Sequence, residues 1–96
     1  MRAILISERA EADLRGIWRW SYDQFGEAQA DRYLDELDDG LQKCRAAPEE
    51  GRQRHAIRPD YWSRLVRKHV VFYTFTNDEV LIRRVLHGSM DLPRHV

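Results

Sequence analysis

The chain has 96 residues, 43 % hydrophobic and 10 % aromatic, enough for one small domain with a modest core and little room for a second. A single cysteine, Cys44, excludes an internal disulfide and points to a reducing cytosol. No apolar run approaches the ~18 residues of a membrane span, and no leader pattern opens the chain, so a cytoplasmic protein is expected. The zero net charge hides an asymmetry: residues 1–50 hold 7 basic and 12 acidic residues, and residues 51–96 hold 9 and 4. Either the two halves meet different partners or they neutralise each other within one fold.

Ala3–Ile6 is a short apolar strand without polar alternation, expected to be covered on both faces. Ser7 then offers a hydroxyl to the first free amides of a helix, and Glu8 suits its positive end. Ala10, Leu14, Ile17, Trp18 and Phe25 recur at helical spacing, with Asp13 largely off that stripe, and Gly26 is a natural stop. A second helix spans Glu27 to Ala46, with Ala30, Tyr33, Leu34, Leu37, Leu41 and Cys44 inward and an acidic outer side. Gly40 within it predicts a close helix–helix approach, and Pro48 ends it. The short link at Gly26 makes the pair a helical hairpin.

Glu49–Asp60 is a polar connection, followed by a strand over Tyr61–Val66. Two further strand-like runs, His69–Phe75 and Val80–Leu86, flank the polar turn Thr76-Asn77-Asp78-Glu79 and read as an antiparallel hairpin. The order is β-α-α-β-β-β: an α+β domain, 1–96, with a helical hairpin on one face of a mainly antiparallel sheet. Strict alternation along the last strand puts Leu81, Arg83, Val85 and His87 on one face. With Tyr73 and Phe75, Leu81 and Val85 then form an apolar patch beside charges on the face that the helices leave open, covered either by a partner or by loops.

The four histidines are scattered and Cys44 has no second thiol at ligand spacing, so neither a metal nor a cofactor is expected. No nucleophile elbow, phosphate loop or zinc-protease motif is present. The constellation to weigh is Arg58, Arg67, Arg83 and His87, which would hold an RNA phosphate with His87 as general acid, or bind an acidic partner. Trp20 falls off the helical stripe and Trp62 lies near the basic loop. Each is an anchor or a half-buried core residue.

Several short pieces then line up together: Ala10-Glu11-Ala12-Asp13-Leu14 with Ile17-Trp18, Phe25-Gly26 with Gln29-Ala30 and Tyr33, and Pro48 with Gly51-Arg52. Ile57-Arg58-Pro59 with Tyr61, His69-Val70-Val71-Phe72-Tyr73, and Arg84-Val85-Leu86-His87 with Met90-Asp91 complete the series. The chain resembles a ParE toxin of the RelE/ParE toxin–antitoxin superfamily over nearly its whole length. The resemblance implies a bacterial toxin that inhibits DNA gyrase and is neutralised by a ParD-like antitoxin, with operator DNA reached only through that antitoxin. It implies Arg83, His87, Met90, Asp91 and Leu92 as target contacts, and no catalysis. With the open face, it makes Trp20, Arg58, Tyr61, Trp62, Leu65, Arg67, Tyr73, Phe75, Leu81 and Val85 the candidate antitoxin surface. The alternatives are a RelE-type mRNA endonuclease using Arg58, Arg83 and His87, and a non-toxic relative that only binds an antitoxin. The basic Arg67-Lys68 ahead of His69 departs from the family's usual glycine-serine there.

Overall fold

The computed structural model describes residues 1–89. Its elements are β1 (Ala3–Ile6), α1 (Glu8–Phe25), α2 (Glu27–Ala46), a 3-10 turn at Pro48–Glu50, β2 (Arg52–Gln53), β3 (Trp62–Val66), β4 (His69–Phe75) and β5 (Glu79–His87). The sheet order is β1-β5-β4-β3-β2; β1 runs parallel to β5 and every other pair is antiparallel. The α+β architecture expected from sequence is the one observed, with β2 and the 3-10 turn as additions. Among the described residues no helix is long and apolar enough to cross a membrane.

Local chemistry sets the helix ends. Ser7 caps α1 by accepting from the Ala10 amide at 3.1 Å, and its own hydroxyl donates to the Arg83 carbonyl at 2.9 Å. One side chain therefore starts the helix and ties that start to β5. Gly26, at φ 90°, closes α1 and opens α2, a backbone conformation that side chains resist. Trp18 of α1 donates its indole N–H to Asp31 of α2 at 2.9 Å, fastening the hairpin.

The helices cover one face of the sheet. Ala10, Leu41 and Cys44 meet Val71, Tyr73, Val80, Ile82 and Val85, with Ile4, Leu14, Ile17, Trp62, Val66 and Phe75 at the margin. Burial pushes the Cys44 thiol up to about 11, so it acts here as an apolar filler. Tyr73 is fully buried and spends its hydroxyl on the Pro48 carbonyl at 2.6 Å. On the opposite face Val70, Phe72 and Leu86 are covered by Ile57 and Tyr61 of the β2–β3 connection. A loop thus closes part of the face left by the helices.

Four expectations change. First, β1 is an edge strand and is not covered on both faces: Leu5 and Ile6 are exposed because only β5 flanks it. Second, Phe25 leaves the α1 stripe and is 62 % exposed at the helix end. Third, Gly40 meets a strand and not a helix, since a Cβ there would overlap the Val66 methyls, 2.9 Å from Cγ1. Fourth, strict alternation along β5 fails. The register pairs Phe72 with Arg84 and Tyr73 with Ile82, leaving Arg83 as an extra residue. That bulge resets the side-chain alternation, so Val85 joins Ile82 in the helix-side core while Leu86 takes the opposite face.

Beyond β1, the chain turns into α1 and leaves the edge of β5 unpaired by backbone. Asp13 fills that place. Its carboxylate accepts from the Val85 amide at 2.9 Å and from Arg84 Nε and a terminal nitrogen at 2.8 and 3.0 Å. Both side chains are nearly buried, at 14 % and 13 % exposure, and the pairing holds the Arg84 guanidinium above its usual range. Asp13→Ala is expected to lower stability by about 3 kcal/mol or more, because a buried guanidinium and a strand amide both lose their acceptor. Arg67→Ala removes an equally bidentate but exposed pair with Glu36 and should change nothing resolvable in the same urea titration. Gly40→Ala should cost about 1–2 kcal/mol in thermal or urea unfolding, since crowding Val66 outweighs the ~1 kcal/mol gain in helix propensity.

Candidate functional site

Among the described residues a groove of about 680 Å³ lies between residues 58–62 and the turn end of the β4–β5 hairpin. Arg58, Pro59, Asp60, Tyr61 and Trp62 form one wall; Thr74, Phe75, Thr76, Glu79, Leu81 and Arg83 form the other. The first wall is held by short-range bonds. The Arg54 amide donates to the Tyr61 carbonyl at 2.7 Å, and the Ile57 and Arg58 amides donate back to the Arg54 carbonyl at 2.9 and 3.2 Å. Asp60 takes φ 64°, a left-handed conformation uncommon outside glycine, and so turns the chain at the groove's rim. Tyr61 lies over Phe72 at 6.3 Å, so its ring is anchored from below.

Arg54 supports that wall from beneath. Its guanidinium lies 5.9 Å from the Phe72 ring centre and its Nε donates to Ser63 at 2.8 Å. Burial, and then the neighbouring Arg52, push its pKa down. Between the walls, Trp62 meets Phe75 edge to face at 5.4 Å, and Arg2 lies over Phe75 at 5.5 Å while donating to the Thr76 carbonyl at 2.8 Å. Arg83 donates to Thr74 Oγ1 at 3.2 Å. The Thr76 hydroxyl accepts from the Asp78 and Glu79 amides at 3.2 Å each, which fixes the hairpin turn. The groove thus has an aromatic and aliphatic lining with two arginines and two carboxylates, Asp60 and Glu79, around it. Such a lining suits an extended amphipathic chain.

The sequence candidates divide into groups. Arg58, Tyr61, Trp62, Phe75, Leu81 and Arg83 converge on the groove. Leu65, 70 % exposed, and Trp20, 61 % exposed, are on the surface outside it, with Trp20 edge-on to Phe25 at 6.1 Å. Arg67 sits in the β3–β4 turn at φ 56° and is engaged with Glu36, whose carboxyl it holds below the usual range. Tyr73 and Val85 are expected on the open face, and the structure corrects both. They are buried beneath the helices, Tyr73 by the parity of β4 and Val85 by the bulge at Arg83. Met90, Asp91 and Leu92 lie outside the described residues.

Arg83 and His87 also part company. They stand four positions apart along β5, roughly 13 Å, and the bulge turns them apart. Arg83 reaches Thr74 and the groove, whereas His87 stacks on His69 at 5.3 Å beside α2. A shared centre of Arg58, Arg67, Arg83 and His87 is therefore not assembled. Sequence reasoning missed Thr74, Thr76, Asp60 and Glu79 as groove residues. The Pro59-Asp60 pair is a turn signal that could have marked the rim.

Comparison with known proteins places the chain in a family. Residues 4–92 match the family model described as the ParE toxin of the type II toxin–antitoxin system parDE. Toxin ParE1 of Mycobacterium tuberculosis is 38 % identical over 93 residues, covering 96 % of this chain and 95 % of the relative. Toxin ParE1 of Caulobacter vibrioides is 35 % identical, covering 100 % and 99 %, and Toxin ParE of Escherichia coli is 31 % identical, covering 96 % and 90 %. A solved structure described as a chromosomal ParDE system from P. aeruginosa superposes with a TM-score of 0.79 at 16 % identity, over 91 % of this chain and 96 % of that one, a likeness of fold. With the family model spanning nearly all the chain and three relatives above 30 % identity, this chain belongs to the ParE toxin family of type II toxin–antitoxin systems.

Proposed function

We propose that the protein acts in the bacterial cytoplasm by inhibiting DNA gyrase, and that a ParD-like antitoxin neutralises it by seating a segment in the groove between Tyr61-Trp62 and Leu81-Arg83. Family membership supports the gyrase target. The groove supports the partner, and it is the observation that carries the reading: aromatic side chains with Leu81 between them, and arginines and carboxylates around them. An acidic, amphipathic antitoxin segment would bury apolar side chains against Trp62 and Leu81 and set carboxylates against Arg58 and Arg83. Operator DNA is then reached through the antitoxin. Arg83 faces the groove, so in this reading it contacts the antitoxin, and the target contact falls to His87 with Met90, Asp91 and Leu92.

The separation of Arg83 from His87 counts against the endonuclease alternative. General acid–base catalysis needs the proton donor within hydrogen-bond reach of the reacting group, and an arginine clamp needs the same phosphate. These two side chains point to different faces of β5.

Two assays run on the antitoxin-free chain separate the readings. Inhibited supercoiling and trapped gyrase cleavage, with ribosome-bound mRNA intact, is the expected result. Cleaved mRNA with normal supercoiling would establish the nuclease, and silence in both would establish a non-toxic relative. For the groove, Leu81→Asp and Arg83→Glu should each weaken antitoxin affinity at least about tenfold in calorimetry, equivalent to ~1.4 kcal/mol. A truncation after Ser89 should retain antitoxin affinity and lose gyrase inhibition.

A further inference from the structure

The opposite end of the hairpin gathers a set of polar side chains that the groove does not use. His69 and His87 are direct partners across β4 and β5, and their rings meet edge to face at 5.3 Å and 80°. Tyr33 of α2 brings its hydroxyl to 2.6 Å from His69 Nδ1. On the other ring, the Ser89 amide donates to His87 Nδ1 at 3.1 Å, and Ser89 Oγ lies 2.7 Å from the same atom. Gly88 donates its amide to the Lys68 carbonyl at 2.9 Å. The turn after β5 is therefore held by two bonds, one to a backbone carbonyl and one to an imidazole.

The proton positions follow from the donors. A backbone N–H only donates, so His87 Nδ1 presents a lone pair and the neutral ring carries its proton on Nε2. The Tyr33 hydroxyl and His69 Nδ1, 2.6 Å apart, share one hydrogen bond whose donor depends on the His69 tautomer. His87 thus uses Nδ1 as an acceptor and is neutral in this arrangement. The groups facing the pair are Asp13 from α1, Tyr33 with Glu36 from α2, and the Arg67-Lys68 turn.

We infer that His87 is an acid-sensitive latch on the Gly88-Ser89 turn: a proton taken from solvent onto Nδ1 occupies the lone pair, breaks the Ser89 N–H···Nδ1 bond and makes Nδ1 a donor toward Ser89 Oγ, so that the turn is re-seated on the hydroxyl and on the Gly88 bond to Lys68. Among the described residues the bonds of His87 Nδ1 go to Ser89, and its ring contact is with His69. Burial, and after it the neighbouring His87, keep His69 below the ordinary histidine range, with Asp13 acting in the opposite sense. The His87 ring is the more exposed of the pair and is the one that solvent reaches. The inference stands on the turn itself and not on the identity of the toxin's target.

A linked consequence concerns stability. A histidine whose folded pKa is depressed contributes stability that is present above the unfolded value of about 6.5 and is lost as pH falls below it. Unfolding free energy should decline between about pH 7 and pH 5.5, and the decline should be smaller in His69→Gln.

The latch itself is tested by NMR of the full chain titrated from about pH 8 to pH 5. The nitrogen spectrum of His87 at the upper end should show the Nε2–H tautomer. The Ser89 amide proton should move upfield with the same midpoint as the His87 ring, while the Gly88 amide, bonded to Lys68, should stay in place. In His87→Gln the Ser89 shift should become flat over this range. An Nδ1–H tautomer, a Ser89 amide that ignores the titration of His87, or a Ser89 amide that still titrates in His87→Gln would each overturn the assignment. If that variant does not fold, the tautomer and the paired midpoints in the unmodified chain decide alone.

Discussion

The Asp13 carboxylate holds the place where this small fold is most exposed to error. β1 is only four residues long, so β5 continues past it with a bare edge, and a bare edge invites pairing with other chains. Asp13 reaches from the second turn of α1, accepts the Val85 amide and captures Arg84 in the same carboxylate. The helix therefore takes the role of a missing strand. Ser7 acts from the same side, donating its hydroxyl to the Arg83 carbonyl while its backbone amide donates to the Ile82 carbonyl at 3.0 Å. The backbone groups of Ile82, Arg83 and Val85 in β5 thus find their partners in the seven residues from Ser7 to Asp13.

That dependence explains where the bulge falls. Up to Ile82, β5 has β1 beside it and keeps the strict two-residue period. At Arg83 the flanking strand ends, and the extra residue is accommodated where side chains rather than a ladder supply the bonds. The result is functional geometry: Arg83 is delivered to the groove, Val85 to the core, and His87 to the helix side. One inserted residue separates two charged or titratable groups that would otherwise share a face.

The helices and strands were legible because their ends carry local chemistry. Ser7, Gly26 and Pro48 mark boundaries without help from the rest of the chain, and α2 begins and ends at Glu27 and Ala46 as its spacing indicates. The hairpin strands were legible from β-branched and aromatic runs around a polar turn. The groove was half legible: Arg58, Tyr61, Trp62, Leu81 and Arg83 could be listed, but not distinguished from Tyr73 and Val85, which share their residue types. The distinction rests on the bulge at Arg83, and no glycine or proline announces it. Asp13 was set off the helical stripe for the same reason. Its value lies in a partner 71 residues away, and periodicity carries no information about that.

Gly51 shows how the same constraint reaches the binding face. A Cβ at that position would overlap the Tyr73 hydroxyl and lie 2.9 Å from the Ser63 carbonyl, so the chain can cross there only as glycine. The crossing lets Tyr73 bond Pro48 at the end of α2 and lets β2 pair with β3 through Arg52–Ser63 and Gln53–Trp62. Trp62 is then both a strand partner of Gln53 and a wall of the groove, and its neighbour Ser63 receives Arg54, which underpins the loop over Phe72. The wall carrying Arg58 is accordingly not an independent loop. It is positioned by a buried tyrosine bond on the other side of the sheet, so disturbing Tyr73 or Gly51 should reach the groove through β2 and β3 before it reaches the histidine pair at the far end of β5.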